Sequence, residues 1–97
     1  MLTKRYLKSR PVCKVTFTLP EAIAAQTVHL VGDFNDWEPQ AMPMKKKHGQ
    51  FTLTIELMPG REYQFRYLVN DTEWYNDWNA DRYTSNPFGG DNSVLSV

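Results

Sequence analysis

Short runs in which apolar and polar residues alternate dominate this sequence and restrict the folds open to it. The clearest run is residues 51–57, where Phe, Leu or Ile alternates with Thr or Glu. A period of two places successive side chains on opposite faces of a β-strand, so this run predicts a strand with one buried face. Further alternating or β-branched runs occupy residues 13–19, 27–31, 63–69 and 94–97.

Residues typical of turns separate these runs. Pro20 ends the run at residues 13–19. Pro59-Gly60 joins the runs at residues 51–57 and 63–69 as a hairpin, because Pro presets φ and Gly accepts a positive φ. No long segment has helical periodicity, and residues 21–26 are compatible only with a single helical turn. The pattern predicts an all-β fold, an immunoglobulin-like antiparallel β-sandwich of about seven strands.

Length and charge restrict the organisation and the partners. A chain of 97 residues holds one hydrophobic core, so we expect a basic N-terminal segment, residues 1–11, and a single domain over residues 12–97. Eleven Lys and Arg balance eleven Asp and Glu, whereas nucleic-acid-binding domains usually carry a basic excess. No apolar run approaches the roughly 20 residues of a membrane span. We therefore expect neither a nucleic-acid partner nor a membrane partner.

The cysteine and histidine residues give little support to catalysis or metal binding. Cys13 is the single cysteine and cannot form an internal disulfide. With no secretory signal at the N-terminus, this predicts a cytoplasmic protein, and we expect a monomer. Neither His29 nor His48 has a Ser or Cys partner suggested by the sequence, and no zinc, EF-hand or phosphate-loop spacing is present. We expect no enzyme activity, metal or cofactor.

Aromatic residues are numerous for so small a chain. Three Trp, five Tyr and five Phe make up 13% of the sequence, which is more than a small core can enclose. Some of these rings should therefore lie at the surface, where an aromatic ring serves to bind a ligand.

Three motifs in combination resemble a known family. Residues 28–37 read VHLVGDFNDW, residues 57–71 read LMPGREYQFRYLVND with Trp74 just after, and residues 92–97 read NSVLSV. Together they resemble the family-48 carbohydrate-binding module, also called the isoamylase N-terminal or early-set domain. It occurs in glycogen-branching enzymes and in the β subunit of AMP-activated protein kinase. The resemblance covers nearly the whole chain and implies non-catalytic binding of α-1,4-glucans such as glycogen and starch.

The resemblance also implies which side chains bind the sugar. Trp37 and Trp74 match the two tryptophans of the sugar-stacking platform. Arg66 stands where the family usually has Lys, and Asn92 matches an asparagine that bonds glucose hydroxyls. Phe88 is a looser match to an apolar residue that enters the helical turn of the glucan, because the loop length varies here.

Elementary chemistry agrees with these roles. A flat indole covers the apolar face of a glucose ring with little loss of side-chain entropy. Arginine offers five donors in a planar fork, and asparagine offers both a donor and an acceptor to the hydroxyl rim. Arg66 is out of phase with Tyr63, Phe65 and Tyr67, so it points outward if those residues face the core.

Each of these residues also has a purely structural interpretation. Trp37 would then plug one end of the sandwich, and Arg66 would pair with a cross-strand carboxylate such as Glu56 or Glu62. Asn92 would bond loop backbone, and Phe88 would anchor its own loop. Trp78 has no counterpart in the family, and we expect it to pack under residues 83–88.

Two further functions remain open at this point. The first is a protein–protein adaptor or packing module that keeps the early-set fold without binding sugar. The second is a small glycosidase built from two of the many Asp residues, although nearly all of them stand at turn positions. For the sugar-binding function, the expected partners are an α-glucan and a glycogen-metabolism enzyme or another protein.

Overall fold

Two antiparallel sheets face each other in the computed structural model, which describes residues 2–19 and 23–97. Within those residues the chain forms nine strands: β1 (Leu2–Tyr6), β2 (Cys13–Thr18), β3 (Val28–Gly32), β4 (Lys45–Lys47), β5 (Gln50–Leu57), β6 (Glu62–Val69), β7 (Glu73–Tyr75), β8 (Arg82–Ser85) and β9 (Asp91–Ser96). One sheet has the order β1-β2-β5-β4 and the other β3-β6-β9-β8, with β7 also paired to β6. No helix in this described part of the chain is both long enough and apolar enough to span a membrane.

The prediction of an all-β sandwich is confirmed, and the strands are more numerous than the seven or so expected. β4 and β7 have only three residues each, which is too short for an alternation to be visible. The helical turn predicted over residues 21–26, and the strand end predicted at Pro20, fall wholly or partly outside the described residues. Residues 23–26 themselves form no helix.

The basic N-terminal segment contributes a strand that its sequence pattern does not indicate. β1 pairs with β2 from Leu2 opposite Phe17 to Tyr6 opposite Cys13. Lys4 occupies an inward position of this strand, where its ammonium group lies 2.7 Å from the carboxylate of Asp81. A lysine in place of an apolar residue hides the period of two. Residues 2–6 are therefore part of the first sheet and not a segment separate from it.

The inward residues of the two sheets form the core as the alternation predicts. The ring of Phe17 lies 5.1 Å from the ring of Phe65 in an edge-to-face arrangement, and Phe65 meets Tyr67 in the same way at 5.8 Å. All three side chains are fully buried, and each such burial contributes about 1.5–3 kcal/mol to folding. Because β6 fills the core with one face, its other face is free to carry a site.

Candidate functional site

An open groove of about 540 Å³ lies on the outer face of the second sheet. Its lining comes from the loop after β3, from β6, β7 and β9, and from the turn between β8 and β9. The residues that line it are Trp37, Pro39, Gln64, Arg66, Trp74, Asn86, Pro87, Phe88 and Asn92. The groove thus brings together all five residues that the sequence analysis singled out.

Strand pairing explains the floor of the groove. Alternate residues of β6 point outward, so Gln64 and Arg66 share the outer face, as the phase of Arg66 predicts. β9 continues this face beside Gln64, and β7 continues it where Trp74 pairs with Leu68. The sheet thus makes neighbours of side chains as far apart in the sequence as Gln64 and Asn92, which are 28 residues apart.

The loop that carries Trp37 begins at a glycine that no other residue can replace without movement. A Cβ atom on Gly32 would lie 2.5 Å from the backbone oxygen of Gln64 and 2.8 Å from Cβ of Phe65. The chain then makes a single 3₁₀ turn, Asp33–Asn35. The Asn35 side chain accepts the N–H of Gly32 at 3.1 Å and donates to the carbonyl oxygen of Leu30 at 2.9 Å. These two bonds fix the turn to the end of β3.

Trp37 itself has an uncommon backbone conformation. Asp36 and Trp37 have φ of 55° and 58°, in the left-handed region that bulky residues rarely adopt. The N–H of Trp37 donates to the carbonyl oxygen of Gly32 at 2.9 Å, and its indole N–H donates to Asp33 Oδ1 at 2.9 Å. The ring is half-buried and lies in the wall of the groove. Strained backbone of this kind is concentrated at functional sites.

Trp74 and Arg66 form a pair on the floor of the groove. The indole of Trp74 is 42% exposed, and the guanidinium carbon of Arg66 lies 5.6 Å from its ring centroid. This cation–π contact holds the ring against the sheet.

The alternative in which Arg66 pairs with a neighbouring carboxylate is wrong. Glu56 bonds to Arg10, and Glu62 bonds to Arg82. The Arg66 guanidinium therefore keeps donors that no carboxylate of the described residues occupies, although its Nε is itself buried without a partner there.

Asn92 lies in a row of three amide side chains. It is 8% exposed, its Nδ2 donates to Gln64 Oε1 at 3.0 Å, and its Oδ1 accepts from Asn86 Nδ2 at 3.2 Å. The alternative in which Asn92 bonds loop backbone is wrong, because Asn86 has that role. Asn86 Oδ1 accepts the N–H groups of Phe88 at 2.9 Å and Gly90 at 3.2 Å.

Gln64 and Asn86 also line the groove, and the sequence analysis did not single them out. The outward phase of Gln64 on β6 was a usable signal, as was the Asn-Pro pair at residues 86–87, which is typical of a turn.

Phe88 projects from the tip of the turn between β8 and β9. Its side chain is 94% exposed, which is too little contact to anchor the loop. The loop is held by Asn86, and Gly89 closes it with a φ of 86°. A phenyl ring left in water beside a groove is available to an apolar surface of a ligand.

Trp78 does not pack under the neighbouring loop, so that prediction is wrong. Its side chain is 59% exposed, and the residue before it enters the interior instead. Asp77 Oδ2 accepts the hydroxyl of Tyr67 at 2.6 Å, and the Asp77 N–H donates to Ser93 Oγ at 2.9 Å. Burial, together with the nearby Asp77 carboxylate, raises the pKa of Tyr67 well above its usual value. No sequence pattern indicates that a carboxylate is buried here in place of an indole.

The lining suits a ligand that is apolar on its faces and polar at its rim. It offers two indoles, a phenyl ring and two prolines next to one guanidinium and three amide side chains. Among residues 2–19 and 23–97, no group of three or more His, Cys, Asp or Glu side chains is placed to hold a metal ion.

Comparison with known proteins agrees with this chemistry. A family model described as the glycogen recognition site of AMP-activated protein kinase matches residues 13–97. The protein FLOURY ENDOSPERM 6, chloroplastic, from Oryza sativa subsp. japonica is 34% identical over 73 residues. These are 75% of this chain and 13% of that relative, so the chain spans only a small part of its length. The resemblance to family-48 modules is confirmed, and the chain belongs to the carbohydrate-binding family of the glycogen recognition site of AMP-activated protein kinase.

Proposed function

We propose that the groove binds α-1,4-glucans, such as glycogen, starch and maltooligosaccharides, without hydrolysing them. The observation that carries the proposal is the meeting of Trp37, from the loop after β3, and Trp74, from β7, in one groove with Arg66 between them in sequence. Each indole can cover the apolar face of one glucose ring. A curved α-glucan can follow two such rings around the wall and the floor of the groove.

Hydrogen-bonding groups lie where the rim of a stacked sugar would be. The free donors of the Arg66 guanidinium and the amide row of Gln64, Asn92 and Asn86 line the same groove. Because the amides bond to one another, they are already oriented before a ligand arrives, which lowers the entropy that binding must overcome.

The lining chemistry also supports binding without hydrolysis. A glycosidase of the usual kind needs two carboxyl groups on either side of the scissile bond. The groove presents aromatic, prolyl, amide and guanidinium groups. We infer a free energy of binding of roughly −4 to −8 kcal/mol, which corresponds to millimolar to micromolar affinity and is ordinary for so open a site.

Calorimetric titration with maltoheptaose tests the proposal, with cellohexaose as the ligand control. We expect saturable binding of maltoheptaose alone and a loss of about ten-fold or more in affinity for Trp37→Ala and for Trp74→Ala, since each removes one stacking surface. Trp78→Ala is the matched control, because Trp78 is an exposed indole outside the groove. Equal affinity of all three variants would contradict the proposal. Absence of binding by the parent protein would favour the adaptor instead.

The remaining expectations about the protein in the cell are proposals as well. Cys13 is a buried free thiol, which suits a reducing compartment such as the cytoplasm. We propose that the protein acts as a monomer that recruits a glycogen-metabolism enzyme or another protein to the glucan. Co-sedimentation with glycogen, followed by identification of proteins retained only by the glucan-binding parent, tests the recruiting role.

A further inference from the structure

We propose that Asp33 is a positioning residue of the groove, which fixes the indole ring of Trp37 for stacking on a sugar. The inference rests on the proposed function. The carboxylate of Asp33 accepts two hydrogen bonds at once. Oδ1 accepts the indole N–H of Trp37 at 2.9 Å, and Oδ2 accepts the backbone N–H of Gln64 at 2.7 Å.

The second bond ties the loop to the floor of the groove. The register between β3 and β6 ends at Gly32 opposite Phe65, so the N–H of Gln64 lies just beyond the strand ladder. Asp33 supplies the acceptor that a longer β3 would have supplied. Hydrogen bonds to an ionised carboxylate are stronger than bonds between neutral groups. The same carboxylate thus couples the ring of Trp37 to the strand that carries Gln64 and Arg66.

The orientation of the Trp37 ring depends on its hydrogen bond to Asp33, whereas the Trp74 ring is held by a different kind of contact. Trp74 is held by the guanidinium of Arg66 at 5.6 Å, whereas in the described part of the chain the Trp37 ring has no aromatic or cation–π neighbour. Its backbone is left-handed and sits at the end of a turn. Without the bond to Asp33, rotation about the side-chain torsions would carry the ring away from the wall of the groove.

The bond also settles how Trp37 can recognise a sugar. Its N–H is directed at Asp33 and is not free to donate to a hydroxyl group. The ring therefore contributes a stacking face alone. Replacing Trp37 with phenylalanine should keep part of that face and remove the partner of Asp33.

A double-mutant cycle on maltoheptaose affinity, measured by calorimetry, tests the proposal. We expect Asp33→Ala to lower the affinity about five-fold or more, and to change it less than two-fold when introduced into Trp37→Phe, because the partner is then already absent. Asp33→Asn keeps one acceptor oxygen and should lose less affinity for maltoheptaose than Asp33→Ala. If the loss from Asp33→Ala were as large in the Trp37→Phe protein as in the parent, Asp33 would act through its bond to Gln64 or on the sugar directly, not through the indole N–H, and the proposal would be wrong.

The indole resonances of the free protein give a readout that general destabilisation would not produce. In a ¹H–¹⁵N spectrum, Asp33→Ala should shift the side-chain N–H resonance of Trp37 and leave that of Trp78 unchanged. If the Trp37 resonance stayed in place, the hydrogen bond would not exist in solution. Should Asp33→Ala fail to fold, Asp33→Asn carries both the affinity comparison and the spectrum.

The two proposals fail in different ways. A parent protein that binds no α-glucan overturns the proposed function, and the role of Asp33 with it. A parent protein that binds maltoheptaose, with Asp33→Ala binding within two-fold of it, overturns the role of Asp33 alone.

Discussion

Replacement of Gly32 by alanine adds one methyl group at the last residue pair between β3 and β6, where Gly32 lies opposite Phe65. The new Cβ would lie 2.5 Å from the backbone oxygen of Gln64 and 2.8 Å from Cβ of Phe65, whereas ordinary contact begins at 3.4 Å. The two strands must therefore separate by about 0.9 Å, and neither neighbour is the flexible end of a side chain. Overpacking costs typically 1–3 kcal/mol, and here we expect about 3 kcal/mol because backbone must move.

Urea unfolding at 25 °C, followed by intrinsic fluorescence, measures this loss. With an m-value of about 1.5 kcal/mol/M, the midpoint should fall by about 2 M. Gly90→Ala is the matched control, because its new Cβ would meet only the Asn86 side-chain nitrogen within 3.3 Å, and that side chain can shift. We expect less than about 1 kcal/mol for the control. A free energy of unfolding for Gly32→Ala within about 0.5 kcal/mol of the parent would refute the packing argument.

Three further substitutions test how the groove and the interior are held. Asn86→Ala removes the acceptor for the N–H groups of Phe88 and Gly90, which holds the turn between β8 and β9. We expect calorimetry to show maltoheptaose affinity about three-fold or more weaker. Gln40→Ala removes a 3.1 Å bond between the Trp37 loop and Asp71 before β7, and a roughly two-fold weaker affinity in the same titration is expected. Tyr67→Phe removes the hydroxyl that donates to the buried carboxylate of Asp77. It should lower the free energy of unfolding, measured with urea, by about 1–3 kcal/mol and leave glucan affinity unchanged.

The strands with a clear alternation, and the outward direction of Arg66, were predictable because local pattern decides them. In residues 51–57 and 63–69, the period of two is explicit, and it also tells which way Arg66 points. The motifs around Trp37 and Trp74 indicated side chains that the sheet brings into one groove. These features depend on residues close together in the sequence.

What the sequence did not indicate depends on contacts between distant residues. β1 joins the sheet although Lys4 faces inward, because Asp81, 77 residues away, supplies its counter-charge. Asp77 rather than Trp78 enters the interior, because Tyr67 offers a hydroxyl to it there. Side-chain partners of this kind meet only when the fold is complete, and the alternation within a single run does not indicate them.

The indole N–H resonances of the three tryptophans, followed during titration with maltoheptaose, test the central claim most directly. Trp37 and Trp74 line the groove, and Trp78 lies outside its lining, so the three signals report the site and a control in one experiment. We expect saturable shifts for Trp37 and Trp74 and none for Trp78. Shifts confined to Trp78, or none at up to about 10 mM ligand, beyond the weak end of the expected range, would contradict the account.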